Sequence, residues 1–256
     1  MSIYDLLLEP VKDEKDVIYG VMIGIVVDNN NEKFPGMVKV ELLTREPKKN
    51  ITDWIRVATL AAGKNRGTYF IPEIGDEVLV AFIEGNINKP YVIGCLWNNI
   101  DKVPDKTFNK DNHVKKIKTK GGHEIVFNDE KGKEYIDIHT PGDFQMRMDD
   151  EKNNILLKDK DGSNLMEIDT KKGTVTVKGK SKVVVESGSS NMQIDGDSGS
   201  VKLKSNNIQI DGSQSIKLKT QSMSIEAGML NIKASSNLNV KSDGAANIKG
   251  AVVKIN

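Results

Sequence analysis

Residues 207–242, NIQIDGSQSIKLKTQSMSIEAGMLNIKASSNLNVKS, repeat one short pattern. Apolar residues occur in pairs separated by one residue, as in Ile208 and Ile210, and a new pair returns every seven or eight residues. A small residue stands two positions after each pair, as Gly212 does. Alternate residues of a β-strand face the same side. Each octad therefore predicts a short strand with two apolar side chains and one small residue facing inward, followed by a turn.

The same octads extend from residue 175 to the C-terminus. Their first apolar residues are Val175, Val183, Met192, Val201, Ile208, Ile216, Met223, Leu230, Leu238, Ala246 and Val253. Burying two aliphatic side chains contributes about 3–6 kcal/mol, whereas ordering a residue costs about 1–2 kcal/mol for its backbone alone. An isolated octad is therefore unstable and needs apolar contacts from neighbouring strands, as in other repeat architectures.

Three copies of the chain, wound together as a three-sided prism, would supply those contacts. The narrow interior would exclude aromatic rings, and the hydrogen-bonded ladder would exclude proline. The composition agrees, because no aromatic residue follows Phe144 and no proline follows Pro141. A disordered segment and a single-chain solenoid are the alternatives. The predicted trimer core comprises Val201, Leu203, Ile208, Ile210, Ile216, Leu218, Met223, Ile225, Leu230, Ile232, Leu238 and Val240.

Residues 18–100 have a different pattern, with five apolar or alternating segments separated by Gly, Asn and Pro turn signals. These segments are YGVMIGIVVD, GMVKVELLT, DWIRVATL, GDEVLVAFI and KPYVIGCLW. Five short strands with Gly-marked turns indicate a small barrel of the oligonucleotide/oligosaccharide-binding (OB) type. The predicted fold class is therefore all-β, an OB-type barrel followed by an intertwined trimeric β-helix. The predicted divisions are an N-terminal segment (1–18), the barrel (19–110), a neck that begins the β-helix (111–173) and the octad repeats (174–256).

Composition excludes several functional classes. Lys and Arg number 37 and Asp and Glu number 36, so there is no electrostatic case for binding nucleic acid or an anionic membrane. A single cysteine, Cys95, excludes an intrachain disulfide framework. The first residues lack a basic region followed by an apolar stretch, and no apolar run approaches the length of a membrane span. We therefore expect cytoplasmic synthesis without a signal peptide.

Three segments carry a family resemblance: GMVKVELL (36–43), the stretch from WIRVATL to CLWN (54–98) and IKTKGGHEIVFNDEKGKEYIDIHT (117–140). They resemble the spike proteins of contractile injection systems, which include the VgrG proteins of type VI secretion, the phage baseplate assembly protein V and the spikes of phage-tail-like particles. The resemblance implies a barrel followed by a trimeric needle. It also implies a structural role in a baseplate or tail tip, where the needle pierces a target envelope and carries a tip or cargo protein.

The chain also departs from that family's larger members. About eighteen residues precede the barrel, so the resemblance implies a separate hub protein. Four apolar residues of this segment are a possible hub anchor: Ile3, Leu6, Leu7 and Leu8. A trimeric surface-binding fibre or adhesin is the alternative function.

The C-terminal sequence GAVVKIN lacks the His-x-His tip of some phage spikes, and we expect no fused effector domain. The resemblance then implies a separate PAAR-type tip protein. Its predicted contact comprises Ala251, Val252, Val253, Lys254, Ile255 and Asn256.

Candidate catalytic and metal motifs are weak. The GDSGS at 196–200 resembles a serine-protease motif but falls in a predicted turn, where it lacks the supporting histidine and carboxylate. His113, His123 and His139 do not have metal-ligand spacing, and DKDGSN (159–164) lacks the remaining ligands of a calcium loop. We therefore predict no catalytic residue, no metal and no cofactor.

Two predictions concern packing in the barrel. Cys95 is predicted to be a buried core thiol. Four aromatic residues are predicted to pack in the core rather than to form a stacking surface for single-stranded nucleic acid: Tyr69, Phe70, Phe82 and Trp97.

The octad pattern predicts a severe effect for one substitution and a mild effect for its neighbour. Ile216→Asp would place one unpaired carboxylate per chain in the needle interior, where burying a charge is costly. Lys217→Asp would lie on the outside and should be mild. We expect Ile216→Asp to impair assembly as measured by light scattering, whereas equal assembly of both variants would contradict the assignment of inner and outer positions.

Overall fold

The computed structural model describes residues 17–43 and 50–255. Within these residues the elements are β-strands, apart from one 3₁₀ helix at Ile83–Gly85. No helix in the described part of the chain is long and apolar enough to cross a bilayer. The chain divides into two units, one ending at Leu203 and the other beginning at Lys204. The all-β class predicted from the sequence is confirmed.

Five strands close the N-terminal barrel in the order β1-β2-β3-β7-β6. The first seven strands of the chain are β1 (Val21–Asp28), β2 (Met37–Leu42), β3 (Ile55–Val57), β4 (Ala62–Gly63), β5 (Arg66–Gly67), β6 (Glu77–Phe82) and β7 (Pro90–Cys95). Strands β4 and β5 form a separate small hairpin. Neighbouring barrel strands are antiparallel except β3 and β7, which are parallel. The five barrel strands lie within the five predicted segments, so the predicted barrel is confirmed.

Valine side chains fill most of the barrel core. In β2 and β6 every second residue points inward, so that Val38, Val40, Val78 and Val80 are fully buried. This two-residue alternation is the reason these segments form half-buried strands. At Gly24 the strands approach so closely that a Cβ atom would overlap Val40 Cγ1 and the Glu41 carbonyl, and only glycine fits there.

The predicted burial of Cys95 is wrong, since its side chain is exposed. The thiol lies at the end of β7, and the β6–β7 pairing shifts register between Leu79 and Val80. Beyond this shift Cys95 lies opposite the inward-facing Val78, but it is the last residue of β7, and strand alternation does not ensure that the end of a strand is covered. Partial burial, followed by the charge of Asp76, still raises the pKa of the thiol.

The predicted core packing of the aromatic residues is correct for Phe82, which is buried, and wrong for Tyr69, Phe70 and Trp97, which are exposed. Tyr69 and Phe70 lie in the connection between β5 and β6, and Trp97 follows the end of β7. None of the three therefore belongs to a barrel strand, and their side chains are not directed into the core by the strand alternation.

A seven-stranded antiparallel sheet follows the barrel, and each strand pairs with its neighbours in sequence. Every strand has five residues: β8 (Val114–Lys118), β9 (Glu124–Asn128), β10 (Tyr135–His139), β11 (Gln145–Asp149), β12 (Asn154–Lys158), β13 (Leu165–Asp169) and β14 (Thr174–Lys178).

Several turns of this sheet are closed by the last side chain of a strand or the first one after it. Asp149 Oδ1 accepts the Lys152 N–H at 2.9 Å, and Asp169 Oδ1 accepts the Lys172 N–H at 2.8 Å. Thr140 Oγ1 accepts the Phe144 N–H at 3.3 Å. Such side-chain to backbone bonds favour a turn over continuation of the strand, so these residues help to set the strand length.

Three further strands form a separate sheet: β15 (Lys182–Ser187), β16 (Ser190–Asp195) and β17 (Ser200–Lys204). The turn between β15 and β16 contains Gly188 at φ 55°, a conformation that favours glycine. The first four octads lie in β14 to β17, whereas the described residues 205–255 contain no strand. The intertwined trimeric β-helix remains a prediction.

Candidate functional site

One face of the seven-stranded sheet is apolar except for Lys115, which lies opposite Phe127 at the first strand. Strand pairing aligns its side chains in two rows, because Ile136 lies opposite both Phe127 and Met148, and Ile138 lies opposite both Ile125 and Met146. Cross-strand neighbours at this spacing pack against one another. The apolar face comprises Ile117, Ile125, Phe127, Ile136, Ile138, Met146, Met148, Ile155, Leu157, Met166, Ile168, Val175 and Val177.

This apolar face is uncovered in the single chain. Its side chains are exposed to an extent that ranges from 36% for Ile168 to 66% for Val175, apart from Ile125, which is intermediate. Contiguous apolar surface of this kind is unusual on a monomeric protein and marks an interaction site. The sheet therefore presents a surface that is suited to bind other apolar side chains.

The twelve residues of the predicted trimer core are also exposed in the single chain. Their exposure ranges from 53% for Met223 to 84% for Val240. Residues 205–255 form no strand with the rest of the described chain, so these side chains have no intrachain core. Whether they meet in a trimer stays a prediction.

The predicted tip contact is exposed as well, with Val252, Val253 and Ile255 all at least half accessible. Asn256 and the possible hub anchor at Ile3, Leu6, Leu7 and Leu8 lie outside the described residues. Both assignments stay predictions.

The opposite face of the seven-stranded sheet carries a network of paired charges. Glu124 contacts Lys116 Nζ and Lys118 Nζ, each at 2.8 Å. The side chains of Glu124 and Lys116 are only 11% and 7% exposed. Hydrogen bonds from the two lysines lower the pKa of Glu124 to about 2. Lys116 also donates to the Asp105 carbonyl at 3.0 Å, so the network ties the segment between β7 and β8 to the sheet.

A second part of the network centres on Asp137, which is 4% exposed. Its carboxylate contacts His139 Nδ1 at 2.6 Å, and it also accepts a hydrogen bond from the Gln145 amide. His139 Nε2 lies 3.6 Å from Glu124, which joins the two parts. Buried carboxylates need such partners, because an unpaired buried charge is strongly unfavourable.

Arg147 extends the network to Asp149, which is 2% exposed. The guanidinium contacts this carboxylate through Nε at 2.8 Å and NH2 at 2.7 Å, and it stacks 3.8 Å from the centre of the Tyr135 ring. Burial raises the pKa of Asp149, but the Lys152 N–H and Arg147 outweigh it, so the pKa lies below its usual value. The network stabilises the polar face and leaves the opposite face free to bind.

The weak catalytic and metal motifs do not assemble into a site among the described residues. Ser198 in GDSGS lies between β16 and β17, and its hydroxyl contacts the Ser200 hydroxyl at 2.8 Å. Within residues 17–43 and 50–255, no group of three or more His, Cys, Asp or Glu side chains could hold a metal ion.

Comparison with known proteins identifies the barrel. Residues 22–97 match the type VI secretion system/phage-baseplate injector OB domain, and this range contains the five barrel strands apart from Val21, the first residue of β1. The chain is 36% identical over 117 residues to the type VI secretion system spike protein VgrG5 of Pseudomonas aeruginosa. It is a relative of the VgrG spike proteins. The VgrG1a spike of the same organism is 33% identical over 138 residues, and the actin cross-linking toxin VgrG1 of Vibrio cholerae is 30% identical over 141 residues.

The similarity to these VgrG proteins is confined to part of each chain. The matched regions cover 43%, 48% and 51% of this chain, but only 15%, 22% and 13% of the respective relatives. The chain therefore spans less than a quarter of the length of each of these relatives, and their other activities do not transfer to it.

The apolar face in residues 114–173 was not predicted from the sequence. A signal was present, because each of EIVFN, YIDIH, QMRMD, NILLK and LMEID carries apolar residues at its second and fourth positions. These are the same pairs as in the octads, but the strands begin nine to eleven residues apart, so a search for octads does not find them.

The Glu124 pairing predicts a dependence of stability on pH. Because its folded pKa is about 2, below the ordinary value of 4.5, its stabilisation is present above pH 4.5 and is lost as pH falls towards 2. We expect Glu124→Gln to lower the free energy of unfolding by about 1.5–3 kcal/mol at neutral pH, as for the loss of other hydrogen bonds to charged groups. Between pH 4.5 and pH 2, the variant should lose less stability than the wild-type protein. Circular dichroism during acid titration measures both effects.

Glu130→Gln is the matched control, since Glu130 pairs with Lys133 on the surface, where both side chains are exposed. Exposed ion pairs contribute little to stability, so this variant should lose as much stability between pH 4.5 and pH 2 as the wild-type protein. If Glu124→Gln lost as much stability between pH 4.5 and pH 2 as the wild-type protein, the prediction would be contradicted.

Proposed function

We propose that three copies of the chain wind together through the octads and the apolar face of the seven-stranded sheet, and that the resulting needle is the working form. One observation supports the proposal most strongly: the apolar pairs from β8 to residue 255 are largely exposed in the single chain. The barrel, in contrast, buries its own core. Three chains would cover the exposed pairs, of which only Phe127 contributes an aromatic side chain.

The proposed function is that of a structural, non-enzymatic central spike in a contractile injection particle of the phage-tail or type VI kind. The similarity to VgrG spikes supports this role. A ladder of hydrogen-bonded strands is stiff along its axis, so the needle would transmit the force of a contracting sheath and pierce the target envelope. The contact with the target membrane would be mechanical only.

A trimeric surface-binding fibre or adhesin is the alternative. It would share the needle but not the injector barrel, so the match of residues 22–97 to the injector OB domain favours the spike. Electron microscopy of particles isolated through this protein distinguishes the two, because a spike copurifies with sheath and tube whereas a fibre does not.

Two partners complete the proposal. A separate hub or baseplate protein would bind at the N-terminal end, with Ile3, Leu6, Leu7 and Leu8 as its possible anchor. A PAAR-type tip protein would bind residues 251–256. The particle would be assembled in the cytoplasm, with the spike in its baseplate or tail tip.

The first prediction is that the protein is a homotrimer. Because its stability would be coupled to association and to slow unfolding, we also expect resistance to mild detergent. Native mass spectrometry or light scattering measures the mass. A folded monomer at working concentration would refute the trimeric needle.

The second prediction concerns the last octad, where Val253 and Ile255 would face inward at an open ladder end. Such an end presents unpaired backbone groups and apolar surface, and other repeat arrays cap it. Deletion of residues 251–256 should leave the trimer folded, because about ten octads remain, but should abolish binding of the tip protein in a pull-down. Since the contact would be mainly apolar, added salt should weaken it little. Undiminished binding by the shortened needle would place the tip contact elsewhere.

A further inference from the structure

A polar groove lies between the polar face of the seven-stranded sheet and the segment that connects β7 with β8. It has a volume of about 600 Å³, which is within the range of about 300–1,000 Å³ found for pockets that bury a small ligand. Side chains of β8 to β12 form its floor. The Lys116 Nζ atom donates to the Asp105 carbonyl at 3.0 Å, and this bond fixes the connecting segment at the rim of the groove.

Cationic side chains outnumber carboxylates in the lining of the groove, although the whole chain is nearly balanced in charge. The cationic side chains are Lys106, Lys116, Lys118, Arg147, Lys158 and Lys160. The carboxylates are Asp105, Glu124, Asp137 and Asp143. A concave surface with an excess of one sign of charge attracts counter-ions, so the groove is suited to hold an anion.

Most of the carboxylates in the lining already have partners within the chain. Glu124 and Asp137 belong to the charge network described above, and Asp143 lies 3.2 Å from Lys160 Nζ. Among the described residues, Asp105 is the one carboxylate of the lining that has no ion pair. Repulsion of an incoming anion by these groups is therefore weak.

Two lysines of the lining, Lys106 and Lys158, form no ion pair with any described residue. Lys158 is the last residue of β12 and is only partly exposed. Its cross-strand neighbours on the two sides are Gln145 and Leu165, and neither carries a charge. Because a cation that is partly removed from water is stabilised by a counter-ion, a bound anion would supply what the chain itself does not.

We propose that this groove binds a polyvalent oxyanion, such as a diphosphate or a tricarboxylate, with Lys158 on its floor and Lys106 beside it as the principal ligands. A lysine ammonium group binds such anions as a point charge with three rotatable donors. Arg147 is not one of these ligands, because its guanidinium is already held by Asp149 at 2.7 Å. The groove lies on the side of the sheet opposite the apolar face, so the proposal goes beyond the spike function and does not depend on it.

Isothermal titration calorimetry of the full-length protein with sodium pyrophosphate and, separately, with sodium citrate measures the affinity. Lys158→Gln removes one charge from the floor and should weaken binding of the preferred anion about tenfold, the effect of one lost hydrogen bond between charged groups. Tighter binding of pyrophosphate would identify a phosphate ligand, and tighter binding of citrate would identify a carboxylate ligand.

Lys131→Gln is the matched control, because Lys131 is exposed in the turn between β9 and β10 and lies outside the groove lining. This variant removes the same charge and should leave the affinity unchanged. An equal loss of affinity in Lys131→Gln and Lys158→Gln, or no binding of either anion, would overturn the proposal.

Acetylation of lysine side chains, followed by peptide mass spectrometry, locates the anion on the unmodified sequence. Saturating pyrophosphate or citrate, whichever binds more tightly, should slow acetylation of Lys106 and Lys158 and leave that of Lys131 unchanged. The same change at all three lysines would indicate general screening by salt and would refute a specific site. Neither measurement depends on the number of chains in the assembly, so a failure of the trimeric needle leaves this test intact.

Discussion

The strands that follow the barrel share one constraint. A five-residue strand of this sequence provides only two apolar side chains on one face. Two buried aliphatic side chains contribute less free energy than ordering the strand and its turn costs. Pairing with the next strand aligns the apolar side chains in rows, as Ile136 shows between Phe127 and Met148. Pairing does not cover the rows, however, and a covering surface must come from elsewhere. The barrel buries its own apolar side chains, because its closed sheet directs three residues each of β2 and β6, and one each of β1, β3 and β7, into a shared core that is mostly valine.

The polar face of the sheet contains buried carboxylates that need polar or charged partners. Asp137 and Asp149 are almost completely buried, and each is held by cationic or hydrogen-bonding partners on the same or adjacent strands. The guanidinium of Arg147 lies 2.7 Å from Asp149 and 3.9 Å from Asp137, so one long side chain contacts both carboxylates. The network thus adds polar contacts to a face that also carries apolar residues, among them Val126, which is 7% exposed. One face of the sheet is therefore apolar except for Lys115, whereas the other is mainly polar.

Features that depend on the fixed period of a strand could be predicted from the sequence, whereas features that depend on strand pairing could not. The five barrel strands could be predicted because alternation has a fixed period, and Val38 and Val40 show it directly. The exposure of Cys95 could not be predicted, because it is the last residue of β7 and alternation does not say whether the end of a strand is covered. The apolar face was not predicted from the sequence because turns of four to six residues vary the spacing between its strands. The charge network could not be predicted at all, because the contact of Glu124 with His139 exists only in one register. Both partner sites stay predictions for another reason: the residues involved are exposed or lie outside the described structure.

The simple strand order of the seven-stranded sheet also bears on how such a chain can change in length. Every strand from β8 to β14 bonds only to the strands before and after it in sequence, so no contact spans the sheet from one end to the other. Insertion or loss of two consecutive strands with their turns would keep the direction of the remaining strands and the side on which each residue lies. Loss of a single strand would reverse the course of everything that follows. Evolution of this region can therefore proceed in whole hairpins, and the reach of the protein can be adjusted without redesign of the barrel.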